Sequence, residues 1–293
     1  MNSTKNKLYL ILSMVIFGTI GMFRKFIPLP SGMLAMARGF IGTASLLAIV
    51  YLRGSRLNAK VIKANALKLC LSGALIGFNW ILLFEAYRYT TVATATLCYY
   101  MAPIFVFLAS PFLFREKLGM KKVLCIAVAL VGMVLVSGIL EADFGGSNAS
   151  LGILMGLGAA LLYASVIVMN KRIVGVNAYD KTIVQLFSAA VVVLPYTLLM
   201  EDVASVTLDG TGIIMLLVVG VIHTGITYAL YFGSIDSLST QTVALCSYID
   251  PVVAIFISAF VLMEDIGPMG IIGAVLVLGS TMLSELNLTK KKE

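Results

Sequence analysis

Charged residues in this chain fall between long apolar runs instead of along one face of each helix. A run that is apolar all round suits a helix surrounded by lipid. A hydrocarbon core about 30 Å thick takes roughly 20 apolar residues per helix. Runs near that length predict ten spans, at 8–26, 31–52, 69–87, 92–114, 122–140, 151–170, 182–200, 211–232, 240–262 and 268–286. Pro28 and Pro30, the Gly145-Gly146-Ser147-Asn148 stretch and Gly267-Pro268 mark hinges between them.

The pattern repeats. The stretch Gly77–Gly119 returns 148 residues later as Gly225–Gly267 without a gap. Thr94, Leu97, Cys98, Tyr100, Pro103 and Glu116 meet Thr242, Leu245, Cys246, Tyr248, Pro251 and Glu264. Two five-span repeats follow, residues 1–144 and 149–293, with the boundary at Gly145–Asn148. Internal repeats in membrane chains point to transporters, whose substrate site lies where the copies meet.

Charge sets the expected direction. With the N-terminus in the cytoplasm, seventeen of the 21 Lys and Arg collect inside. Only Arg24, Lys25 and Arg88 fall outside, and Arg38 lies within span two. Positive loops stay in the cytoplasm, so both termini are expected there, in the cytoplasmic membrane. Five spans per copy make the second copy enter from the opposite side. The loop charges agree with this inversion: Arg115-Glu116-Lys117 is cationic, whereas its partner Met263-Glu264-Asp265 is acidic. The fold expected is therefore all-α, ten transmembrane helices as two inverted five-helix repeats.

The composition, 60% hydrophobic and 12% charged, is too apolar for an ordinary soluble domain. The net charge of +7 resides in short loops between spans, which favours topology over a nucleic-acid partner. No polar stretch is long enough for a soluble catalytic domain, and HExxH, GxSxG and GxxxxGK[ST] motifs are absent, so neither an enzyme nor a nucleotide hydrolase is expected. Cys70, Cys98, Cys125 and Cys246 lie in apolar runs without metal-ligand spacing and read as packing residues. Neither cofactor nor metal is expected. Lys5 and Lys7 before an apolar run resemble a signal peptide. Arg24 and Lys25 follow that run where a small-residue cleavage site belongs, so it reads as a retained span.

Ala37-Arg38-Gly39-Phe40, the stretch Ala93–Pro103 leading to Leu113-Phe114-Arg115-Glu116-Lys117, and the second-copy stretches Gln241–Pro251 and Leu262-Met263-Glu264-Asp265 resemble EamA-type members of the drug/metabolite transporter superfamily. The similarity covers essentially the whole chain. It implies secondary transport of small metabolites, amino acids and amines among them, through a central cavity lined by both halves. Many members carry a tryptophan near the middle of span one, where this chain has Phe17-Gly18.

Pro103 and Pro251 are expected to break spans four and nine, since each lacks an amide N–H. Irregular backbone at that depth persists only where protein or a wet cavity satisfies it. Asp250, near the bilayer centre, is a functional-site candidate by default, and its repeat partner is the neutral Ala102. Glu85 is expected near the outer end of span three. Arg38 either neutralises Asp250 or Glu85 or binds a substrate carboxylate, with neutralisation favoured. His223 either carries protons or hydrogen-bonds to a neighbouring helix. Tyr99, Tyr100, Tyr163, Tyr228 and Tyr248, with Trp80, form with the carboxylates a candidate cage for a cation.

The expected function is secondary transport of a small cation-bearing metabolite, an amino acid or amine, by alternating access, with protons as coupling ion. An uncoupled facilitator or exchanger, or a channel-like membrane protein, is the alternative. Lipid surrounds the chain, and Gly152-x-x-x-Gly156 with Gly267, Gly270 and Gly273 suits close helix contact or a homodimer.

Overall fold

The computed structural model describes residues 3–24, 26–90, 95, 98–117, 119–136, 149–203, 206–260 and 267–285. The Gly145–Asn148 junction, Lys25, Ala93, Thr94 and the loop holding Leu262, Met263, Glu264 and Asp265 lie outside the described residues. The first copy contributes α1 (Ser3–Gly18), α2 (Ile20–Arg24), α3 (Ser31–Leu52), α4 (Ala59–Tyr89), α5 (Ala102–Phe114) and α6 (Met120–Val136). The second contributes α7 (Ala149–Arg172), α8 (Ala178–Met200), α9 (Gly210–Val218), a π-helical stretch (Val219–Ile226), α10 (Thr227–Ile235), α11 (Thr240–Cys246), α12 (Ile249–Phe260) and α13 (Pro268–Glu285). All described secondary structure is helical. Five helices are long and apolar enough to cross a membrane: Ser31–Leu52, Ala59–Ala86, Ser150–Arg172, Ala178–Met200 and Gly210–Ile235. The other expected spans appear as shorter or interrupted helices, and the chain is a multi-pass membrane protein.

The 148-residue offset organises the whole molecule. It carries α3 onto α8 and α6 onto α13 to within a residue at each end, and α1–α2 onto the greater part of α7. Helix α4 packs on α7 and α8, while α1 packs on α10 and α3 packs on the π stretch; α3 crosses α8, and α6 pairs with α13. Contacts at the ends of α3 and α8 show that they run antiparallel. Glu201, after α8, accepts the amide N–H groups of Gly32 and Met33 at 2.7 Å each. At the other end Arg53, after α3, stacks on Tyr179 at the start of α8, with the guanidinium 5.9 Å from the ring centroid. Glu201 thereby satisfies two of the orphan amides of the α3 N-terminus.

Local chemistry starts several helices. Asn58, Asn177, Asp209 and Ser239 each accept a backbone N–H from the first turn they precede, at 2.7–3.2 Å. Between helices the driving force is close packing, because lipid tails are as apolar as the side chains. Glycines permit it. A Cβ on Gly73 of α4 would collide with the Gln185 carbonyl oxygen of α8 and lie 2.7 Å from Ser188 Cβ. Gly73→Leu is expected to cost about 1–3 kcal/mol or more through overpacking. Gly210→Ala, at a position open within 4 Å, is expected to behave as wild type. Melting temperature and monodisperse yield in detergent check both.

The lysine-rich end carries a dense polar network. Lys181 is fully buried, yet its ammonium meets both Asp236 carboxylate oxygens at 2.9 Å and the Asn170 carbonyl at 3.3 Å. Lys171 donates to the Leu238 carbonyl at 2.7 Å and the Thr240 hydroxyl at 2.8 Å, and pairs with Glu116 at 3.5 Å. Glu116 also accepts the Thr240 amide at 2.9 Å. Lys122 reaches Ser239 at 3.2 Å. The segment 236–240, between α10 and α11, is thus tied to both halves. Burial pushes the Asp236 carboxyl above the usual carboxylate range, and the Lys181 charge pulls against that shift.

Candidate functional site

Spans four and nine are interrupted as their prolines suggested, although the break differs from a simple kink. Residues 100–101 and 247–248 form turns, and α5 and α12 restart after them. Pro103 and Pro251 therefore occupy the first turns of new helices, where a missing N–H leaves no hydrogen bond unmade.

Between these breaks lies a small cavity, lined among the described residues by Met14, Tyr99, Tyr100, Ala102, Pro103, Tyr163, Ser247 and Asp250. Tyr99 and Ser247 are 148 residues apart, as are Ala102 and Asp250, so equivalent positions of the two copies face one space. One copy supplies two tyrosines and an alanine to that space; the other supplies a serine and a carboxylate. Tyr163 of α7 stacks on Tyr99 with ring centroids 5.8 Å apart, and Tyr100 lies 5.8 Å from Tyr99. Asp250 is the one charged residue among the described residues of this lining. It sits in the first turn of the twelve-residue α12, where the helix dipole favours negative charge.

Span one is shaped to this site. Helix α1 ends at Gly18, Thr19 forms a turn, and α2 resumes at Ile20. A Cβ at Gly18 would lie 2.5 Å from the Asp250 carbonyl oxygen and 2.7 Å from Val253 Cβ, so only glycine lets α1 press on the first turn of α12. Phe17 stands edge-on to Tyr228 at 5.1 Å and to Tyr231 at 6.1 Å. Thus Phe17-Gly18 packs against Tyr228, Tyr231 and the Asp250 turn.

The remaining sequence candidates lie around this cavity. Tyr248 is fully buried, and its hydroxyl lacks a partner among the described residues. Tyr228 packs on Phe17 and Phe232. His223 lies in the π-helical stretch, with Nε2 2.9 Å from the Thr19 hydroxyl and its ring 4.7 Å from that of Phe23. A π stretch facing a helix break is a recurrent arrangement at functional positions. Glu85 accepts a hydrogen bond from the Tyr196 hydroxyl on α8 and stands outside the cavity lining.

The favoured ion pair of Arg38 is not formed. Its guanidinium lies over Trp80, 4.1 Å from the ring centroid. Ion pairs among the described residues include Lys171 with Glu116 and Lys181 with Asp236. Trp80 is itself almost fully buried, and its face offers the guanidinium a desolvated electrostatic partner in place of a carboxylate.

Sequence reasoning missed Met14, Ser247, the π stretch, the Glu201 cap and the pairing of Lys171 and Lys181. The 148-residue offset held a signal for Ser247, because it equates that residue with Tyr99. The two lysines registered only as topology charges. Among the described residues, no group of three His, Cys, Asp or Glu side chains is placed to hold a metal ion.

The chain matches the sequence profile of the EamA-like transporter family over residues 5–138 and again over 150–286. The Bacillus subtilis (strain 168) protein named uncharacterized transporter YxxF is 34% identical over 252 residues, 84% of this chain and 78% of that relative. A Salmonella typhimurium protein named probable amino-acid metabolite efflux pump is 27% identical over 200 residues, 65% of this chain and 66% of its own. A crystal structure of a protein 19% identical superposes with a TM-score of 0.84, over 96% of this chain and 98% of that one, a likeness of fold alone. Two family matches that together take in nearly the whole chain, a relative more than 30% identical over most of its length and a cavity shared by equivalent positions of two copies lead to one conclusion: the chain belongs to the EamA-like transporter family.

Proposed function

We propose that this protein moves a small cation-bearing metabolite, an amino acid or amine, across the cytoplasmic membrane by alternating access of two inverted repeats. Both termini face the cytoplasm in this reading. The observation that carries it is the cavity between the broken spans, whose single charged residue among the described lining is Asp250, beside Tyr99, Tyr100 and Tyr163. A carboxylate at membrane depth is costly unless it is protonated, hydrated or paired, and tyrosine faces attract ammonium groups most strongly where water is excluded. Asp250 then holds either the cationic group or a coupling proton. The name of the Salmonella relative, an amino-acid metabolite efflux pump, supports the same substrate range.

The test is a thermal-shift screen of the purified protein against amino acids, amines, quaternary ammonium compounds and nucleobases. Cation-bearing compounds are expected to raise the melting temperature in wild type, and Asp250→Asn is expected to shift that rise to higher ligand concentration. Stabilisation by nucleobases alone, undiminished in Asp250→Asn, would contradict the reading.

A further inference from the structure

Arg38 is the charged group of the membrane interior that the cation site leaves unexplained. It lies in span two, seven residues into α3, and is mostly buried. Its Nε is buried without a hydrogen-bond acceptor, and the guanidinium forms no ion pair with a described residue. The two carboxylates expected to neutralise it are engaged elsewhere: Glu85 takes the Tyr196 hydroxyl, and Asp250 lines the cavity. The guanidinium lies over the Trp80 ring, and its unpartnered Nε–H remains able to donate. A buried cation with a positioned donor edge is suited to an anion, and a planar guanidinium matches a carboxylate with two parallel hydrogen bonds.

The place of this group ties it to the cavity. Tyr99, a cavity-lining residue stacked on Tyr163, lies within electrostatic reach of Arg38. Tyr228 lies within electrostatic reach of both Arg38 and Asp250. Tyr228 thus lies near both charges, Arg38 from α3 of the first copy and Asp250 from α12 of the second.

We propose that Arg38 is the carboxylate-binding pole of the substrate site, so that the transported solute is a zwitterion, its ammonium directed to Asp250 and its carboxylate to Arg38. The inference rests on the cavity being the substrate site and narrows the substrate class from cation-bearing solutes in general to those that also carry an anion a few bonds away. Among amino acids and amines, it selects the amino acids. Trp80 is then a positioning residue that acts through the guanidinium.

The experiment compares matched probes on the full-length protein in detergent. Each of a panel of α-amino acids is set beside its amide and its decarboxylated amine, and dissociation constants are taken from the ligand-concentration dependence of the melting temperature. For the amino acids that bind, the free acid is expected to bind at least about tenfold tighter than the amide, the scale of a charge-assisted hydrogen bond. Arg38→Gln is expected to remove that advantage and to leave the amide and the amine bound as well as before or tighter, because a neighbouring positive charge is gone. Arg38→Lys keeps the charge but loses the planar fork, and an intermediate advantage is expected. Equal affinity for acid and amide in wild type would overturn the proposal without requiring any variant to fold. So would an Arg38→Gln protein in which all three probes weaken alike, the mark of a packing role. If amides and amines bind as well as acids and all depend on Asp250, the cation site stands and only the Arg38 assignment fails. If none of the three classes binds, the proposed function fails first.

Discussion

Asp250→Asn is expected to abolish accumulation of substrate driven by a pH gradient in reconstituted vesicles, while exchange of substrate across the membrane continues. Asparagine keeps the shape of the side chain and its capacity to hydrogen-bond, so the first turn of α12 and its contact with Gly18 are preserved. What is removed is the one protonatable group, apart from the tyrosines, among the described residues of the cavity lining. Under proton coupling, proton and substrate compete for this carboxylate: the proton must leave before the cationic group binds, and returns after its release. An uncharged residue leaves the substrate path open but severs that exchange. The measurement is uptake of labelled substrate with and without an imposed gradient, beside counterflow in the absence of one. Gradient-driven uptake unchanged in the variant would refute coupling through Asp250. Wild-type protein that equilibrates substrate but never concentrates it would identify a facilitator. Wild-type accumulation that persists in the variant would place the coupling group elsewhere, and His223, set against Thr19 at the break of span one, would be the next group to replace.

The sequence exposed the architecture because a membrane helix declares itself by composition and because a duplicated chain is its own control. The offset of 148 residues between Tyr100 and Tyr248 also relates the ends of α3 and α8, far outside the stretch where residue identity reveals it. Tyr99, Tyr163 and Asp250 were legible as candidates for the same reason: a polar group at membrane depth stands out against an apolar background. Side-chain direction was not legible. A helix apolar on all sides carries no stripe to show which face meets protein, so Arg38 could be assigned a membrane location but not a partner. The sequence reading gave it a carboxylate on charge alone; the fold gives it the face of Trp80 from α4. The helix breaks were legible at the prolines, but the break at Thr19 and the π stretch around His223 contain no proline. They arise where the two elements meet, which is tertiary information. The lysines at the basic end illustrate the same limit, because a topology count treats Lys181 and Lys60 alike although one is fully buried and the other exposed.

That buried lysine leads to the largest expected loss of stability. Lys181 and Asp236 form one pair, yet their surroundings differ: the Lys181 side chain has no exposed surface, whereas that of Asp236 is 40% exposed. Replacing the acid strands an ammonium group in the protein interior with the Asn170 carbonyl as its remaining acceptor, at 3.3 Å. Breaking a buried pair in this way costs about 3–5 kcal/mol. Replacing the lysine leaves a carboxylate that turns toward water, and the loss approaches that of a surface pair, about 1 kcal/mol or less. Asp236→Ala is therefore expected to lower the melting temperature in detergent far more than Lys181→Met does. The double variant Asp236→Ala/Lys181→Met is expected to recover most of the loss, because an apolar side chain suits the space that the buried ammonium occupied. Equal losses from the two single variants, or a double variant no better than Asp236→Ala alone, would show that burial of Lys181 is not what makes this pair matter. The same variants bear on transport, since Asp236 begins the segment 236–240 that Lys171, Glu116 and Lys122 hold at its far end. If the lysine-rich end opens during the cycle, that segment must release contacts to both halves together. Lys181→Met, which keeps the fold while loosening one of those ties, is then the variant in which exchange should quicken.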